Sequence, residues 1–159
     1  NDNSLLNCRI DGLNNFKPDL FIIDLKLKLK KNLTMFELLK KRKTFLITKE
    51  ENKYKTLFFK KKGFKIILIN ALNSKNDFKK MFQHLYKLGY SRAFFETGLT
   101  FLNTLFKYRL LNELYVIQNN NSLKKNGKNN SNFKYLKKIK LNNKIKINLN
   151  NDTLYNERF

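Results

Sequence analysis

A chain of 159 residues, 42% of them apolar, has room for one domain with a real core, and it holds no apolar run long enough to span a membrane. One cysteine, Cys8, excludes an internal disulfide and a cysteine-based zinc site, and one histidine, His84, is too few for a metal cluster or a nucleophile–histidine–acid set. The net charge of +22 points first to nucleic acid, but only five of the 34 basic residues are Arg, and the Lys excess comes with the Asn, Ile and Phe of A/T-rich codons, so the charge is assigned to base composition.

Residues 1–13 are polar and without periodicity, and read as a loop. Lys17-Pro18-Asp19 breaks the chain before L-F-I-I-D (20–24), a continuous apolar run of the kind found in strands buried on both faces. Residues 25–33 alternate Leu with Lys, which predicts a half-exposed strand or an extended segment along the surface. Thr34 followed by Glu37 predicts a capping box and a helix over 34–41. Residues 45–48 read as a second buried strand. A helix is expected within 50–62, stopped by Gly63, and a third strand over 64–69.

Asn76-Asp77 opens the next helix, with Phe78, Met81, Phe82, Leu85 and Leu88 on one face and Gly89 as its stop. His84 edges that face and is read as a surface or partly buried side chain. A fourth strand is expected at 93–95, ending in Glu96. Thr97-Gly98 then turns the chain and Thr100 caps a helix to residue 108. A fifth strand follows at 113–117. Residues 119–132 are Asn, Ser, Lys and Gly, and read as a loop. The tail alternates as K-I-K-L and K-I-K-I-N-L, then T-L-Y-N-E-R-F, which predicts antiparallel strands at the sheet edge with a tight turn at 150–152. Strand–helix alternation with buried strands predicts an α/β fold, with a mostly parallel central sheet flanked by helices.

Two groups of residues could carry chemistry. Asp2 and Arg9 could clamp a phosphate, although the same spacing also fits a solvated surface pair. Glu96-Thr97-Gly98-Leu99-Thr100 would place an acid at the end of a buried strand, a glycine free to adopt positive φ, and the N–H groups of a helix start side by side. The same stretch also fits an ordinary strand-to-helix turn.

The order D-N-S-L-L-N-C-R-I-D-G-L, K-P-D-L-F-I-I-D, L-G-Y-S-R-A-F-F-E-T-G-L-T-F-L-N-T-L and L-L-N-E-L-Y resembles the reductase domain of the bifunctional riboflavin-biosynthesis deaminase/reductase, over most of residues 1–118. The resemblance implies a dihydrofolate reductase-like fold. It also implies NADPH-dependent reduction of 5-amino-6-(5-phosphoribosylamino)uracil to its ribitylamino product. It assigns Asp2 to the cofactor and the reacting centre. Leu6, Arg9 and Glu96 fall to the substrate, with Arg9 on its ribose phosphate. Gly98, Leu99, Thr100, Phe101, Leu102, Asn103 and Thr104 fall to the NADPH phosphates, and Glu113 reads as structural.

Ser4 stands where that family has Pro, Thr97 replaces a Gly or Ala, and Leu25 stands where some members place a hydroxyl. The family's first strand, its active-site Lys and its zinc-binding deaminase domain would lie upstream of Asn1. The chain is therefore expected to be the C-terminal part of a larger cytoplasmic enzyme, inactive by itself, homo-oligomeric in its full form, and without a membrane partner. The alternative from another class is a Lys-rich nucleic-acid-binding module, with exposed Phe and Tyr available for stacking.

Overall fold

The structure is a computed structural model, and it describes residues 18–119, 121, 138–149 and 151–159. The chain divides into two compact units, one ending at Ser91 and the other starting at Arg92.

The first unit is built on a parallel sheet of β1 (Leu20–Ile23), β2 (Thr44–Lys49) and β3 (Lys65–Ile69), in the order β1-β2-β3. The central strand β2 is buried from Thr44 through Thr48 on both faces, as its uninterrupted apolar run predicts. Leu46 pairs with Ile22 on one side and Ile66 on the other. On the Leu46 face a core forms with Phe59 and Phe64, and Ile22, Leu27, Leu29, Phe36 and Leu39 pack against it. On the opposite face Phe45 stacks on Phe21 at 4.5 Å, and Tyr90 meets both rings edge-on.

Residues 25–33 join no ladder and are not continuously extended, because the chain turns at 25–26, with Leu27 left-handed, and again at 31–32. Leu25, Leu27 and Leu29 are half-buried while Lys26, Lys28 and Lys30 face water, so the alternation is one-sided although neither the strand nor the extended segment expected here forms. Polar groups pin it in place. The Asp24 carboxylate accepts the Leu29 N–H at 2.6 Å, and the buried Asn52 amide donates to the Leu25 carbonyl (3.0 Å) and to the Thr48 hydroxyl (3.1 Å).

Two helix expectations are corrected here. Residues 34–41 form only a 3₁₀ turn, Thr34–Leu38, entered at Leu33 with no side-chain cap, because Leu33 and Met35 are the residues drawn inside. The 50–62 stretch is two 3₁₀ turns followed by a short helix, α1 (Leu57–Lys61). Inward-turned polar side chains break it: Asn52 is held by Thr48 and Leu25, and the Thr56 hydroxyl donates to the Lys53 carbonyl at 2.6 Å. The capping box forms instead at α2 (Lys75–Lys87), where Ser74 and Asp77 exchange hydrogen bonds. Those bonds, chiefly from the Asn73 and Ser74 N–H groups, hold the Asp77 carboxyl below its usual range. Phe78, Met81 and Leu85 are buried, and His84 is exposed.

The second unit contains α3 (Leu99–Tyr108), β4 (Glu113–Asn119), β5 (Lys144–Leu149) and β6 (Asp152–Arg158). Its strands form an antiparallel sheet of their own, in the order β4-β6-β5. This corrects the expectation of a single sheet with antiparallel strands at its edge. In β4, Leu114 and Val116 are half-buried while Glu113, Tyr115 and Ile117 are exposed, which is the one-sided pattern of an antiparallel strand. Glu157 is buried where β5 begins, and its carboxylate accepts from the Asn142 and Asn143 N–H groups at 2.6 and 2.9 Å. The expected strand at 93–95 does not form. Three apolar residues between Arg92 and Glu96 find no ladder partner, and Phe94 is 83% exposed. The K-I-K-L stretch over 138–141 forms no strand either.

Among the described residues, the helices α1, α2 and α3 end in the same hydrogen-bonded wrap. In each, the N–H two residues past the last turn reaches back to close a six-residue loop: Phe64 to Phe59, Tyr90 to Leu85, and Leu110 to Leu105. The wrap needs a left-handed residue, supplied by Gly63 (φ +102), Gly89 (φ +95) and, without a glycine, Arg109 (φ +55). Relieving the Cβ crowding at Arg109 outweighs the extra freedom a glycine has in the unfolded chain. Arg109→Gly is therefore expected to raise stability by about 0.5–1 kcal/mol, read as a higher urea midpoint. An unchanged or lower midpoint would count against this assignment.

Candidate functional site

The candidate site residues of the second unit lie on one continuous stretch, from Glu96 into the first turns of α3. Residues 91–98 approach the helix without regular structure, and the Phe95 ring packs against Phe101 at 6.4 Å between centroids. Phe95 is the apolar residue of this short run that packs on the helix start, while Ala93 and Phe94 are exposed.

Gly98, not Thr100, occupies the N-cap position, and no side chain caps the helix. The Thr97 hydroxyl turns to the Gly98 carbonyl (3.4 Å). The first intrahelical bond runs from Leu102 N–H to Gly98 O at 3.1 Å, so the N–H groups of Leu99 and Thr100 have no partner within the helix. The first turn contains no acid. This helix start is therefore electropositive, and its field is offset by no carboxylate of its own.

Gly98 departs from its sequence reading. Its φ of −74° and ψ of 162° are ordinary extended values, so the turn does not require glycine for its backbone. A Cβ built at Gly98 meets nothing within 4 Å. Neither backbone angle nor packing explains the missing side chain, and open space lies where a side chain would stand.

Glu96 is exposed, in a segment that is not a strand. The argument that it is a costly buried acid therefore does not apply. Within α3, Thr100 is exposed and Leu99, Phe101, Leu102, Asn103 and Thr104 are half-buried. The Thr104 hydroxyl donates back to the Thr100 carbonyl at 3.1 Å, so it serves the helix. Glu113 accepts from the Tyr115 hydroxyl at 3.0 Å and lies 3.5 Å from the Arg158 guanidinium on an exposed sheet surface, a structural arrangement. Asp2, Leu6 and Arg9 lie outside the described residues.

In the first unit, the groups at the carboxyl end of the parallel strands are engaged in the fold. Asp24 holds the turn that Leu27 (φ +51) makes possible, and Asn52 ties that turn to β2. Sequence reasoning passed over Asn52, because a lone Asn in a Lys-rich helix-like stretch carries no periodic signal. At the other end of the strands, the Tyr90 hydroxyl donates to the Asp19 carboxylate. Burial, and then that carboxylate, push the phenol up to about 12.

Among the described residues no group of three His, Cys, Asp or Glu could hold a metal ion, and no helix is long and apolar enough to cross a membrane. No known protein family matches the chain, and no curated protein matches it in sequence.

Proposed function

We propose that the chain is part of an NADPH-dependent reductase acting on 5-amino-6-(5-phosphoribosylamino)uracil, with a dihydrofolate reductase-like fold. The observation that carries the reading is Gly98, a glycine that neither its φ nor its neighbours require, at the uncapped start of α3. A phosphate fits there. The N–H groups of Leu99 and Thr100 would hold it, the first turn of the helix carries no acid, and the missing Cβ leaves room for close approach. The ordered motifs along residues 1–118 add the substrate side.

In this reading the residues from Gly98 to Thr104 seat the cofactor phosphates through backbone N–H groups, so no Lys is needed. The bound cofactor supplies a hydride for C1′ of the ribosyl group. Glu96 orients the substrate through its carboxylate. Arg9 offers two parallel N–H donors to the ribose phosphate, and Asp2 stands by the reacting carbon. The protein contributes position and charge, not covalent chemistry.

The test is Gly98→Ala in the full-length protein. The fold should tolerate it, with a loss of no more than about 1 kcal/mol for an alanine at an N-cap. NADPH affinity, followed by nicotinamide fluorescence, should fall at least about tenfold. An unchanged affinity would contradict the reading.

A further inference from the structure

The two ends of the parallel sheet differ in charge. At the amino end, Lys40-Lys41-Arg42-Lys43 runs straight into β2, and Lys60 to Lys62 precede β3, which begins at Lys65. The segments that leave the strands are also rich in Lys, with Lys26, Lys28, Lys30, Lys31, Lys49, Lys53, Lys55 and Lys75, but they interleave Asp24, Glu50, Glu51 and Asp77. A bias in base composition accounts for abundant Lys at both ends but not for the acid-poor runs at the amino end. Nor does helix-dipole complementation account for it, since α1 has only five residues and a correspondingly weak dipole.

A hollow of about 450 Å³ opens at the amino end, with Asp19, Lys40, Lys41, Arg42, Lys43 and Lys65 among its lining residues. Among the described residues Asp19 is the one acid lining it. Its carboxylate is already engaged by the Tyr90 hydroxyl and by the Lys43 N–H at 3.1 Å. Among the described residues no carboxylate lies within 4 Å of the Lys40, Lys41, Lys43 or Lys65 ammonium groups. All four lysines are exposed. The Lys65 ammonium lies 5.5 Å from the centre of the Phe45 ring, which holds its stem against the sheet.

We propose that this edge binds the phosphodiester backbone of a nucleic acid without base preference. The cations are mostly lysines, point charges that neutralise phosphates and release counterions; they lack the forked donors that read base edges. They come from two separate chain segments, a spread that matches an extended polyanion better than a single phosphate. The surface is distinct from the start of α3 and does not depend on the reductase reading.

The test compares two charge-matched variants of the purified protein. One replaces Lys40, Lys41, Lys43 and Lys65 with Gln. The other replaces the exposed Lys75, Lys79, Lys80 and Lys87 of α2 with Gln. Circular dichroism establishes that both are folded. Binding of a fluorescein-labelled oligothymidylate of roughly 16 nucleotides is followed by anisotropy between about 50 and 200 mM salt. The edge variant should lose at least about tenfold in affinity, and the slope of log K against log salt should shrink by about 3. The α2 variant should stay within about twofold. Equal losses would mean that net charge alone drives binding, and no loss in either would mean that the edge is not the site. Either result overturns the proposal. So does dependence on the four edge lysines seen only with phosphatidylserine-containing vesicles, which would make a membrane surface the partner.

Discussion

Leu46→Ala is expected to destabilise the first unit by about 3–4 kcal/mol, a large part of what holds a domain of this size together. Leu46 is fully buried at the centre of the middle strand, between Ile22 and Ile66 and against Phe59 and Phe64. Truncation removes the transfer free energy of the lost carbons. It also leaves a cavity that β2, paired on both sides, cannot collapse to fill. Guanidinium denaturation checks the value. Leu57→Ala is the matched control. That residue is 54% exposed, and its loss should cost well under about 1 kcal/mol. A Leu46→Ala loss as small as the control's would contradict the packing described for this sheet.

The second large effect concerns Glu96. In the full-length protein, Glu96→Gln should lower kcat/KM for NADPH-dependent reduction by roughly 10- to 100-fold, the value of a charge-assisted hydrogen bond to substrate. Its denaturation midpoint should not move, because Glu96 is exposed and belongs to no strand. That pairing separates a substrate role from a structural one. Unchanged turnover would remove Glu96 from the site. Lost turnover with lost stability would make it a folding residue.

Several elements were legible from the chain because local chemistry agreed with the final packing. The apolar runs of β1, β2 and β3 needed no long-range information to be read as buried strands. The face of α2 followed from the spacing of Phe78, Met81 and Leu85. Gly63 and Gly89 marked helix ends through the left-handed conformation they adopt. The alternation of Lys and Ile in β5 marked it as a strand.

Other features depended on contacts that sequence spacing does not encode. Arg109 takes a glycine's conformation because the chain must turn from α3 toward β4, and nothing in its side chain announces this. Alanine and two phenylalanines at 93–95 look like a strand core, but Phe95 packs on Phe101 and Phe94 faces water. The division into two sheets was hidden as well, since the 113–117 run shows only that a strand exists and not which partner it pairs with. For the candidate site, the helix itself was legible, but it starts at Leu99 with Gly98 as N-cap rather than at a Thr100 cap, and the strand expected to lead into Glu96 does not form. Gly98 has ordinary extended angles and does not use the positive φ that glycine permits. The difference between the two ends of the parallel sheet became visible only when strand directions sorted the acids by position.

The central claim is reductase chemistry, and turnover by the full-length protein tests it most directly. NADPH absorbance is followed with and without 5-amino-6-(5-phosphoribosylamino)uracil. The account predicts a decline that requires the pyrimidine substrate and yields the ribitylamino product. A folded full-length protein that neither binds NADPH nor oxidises it in the presence of that substrate would contradict the account.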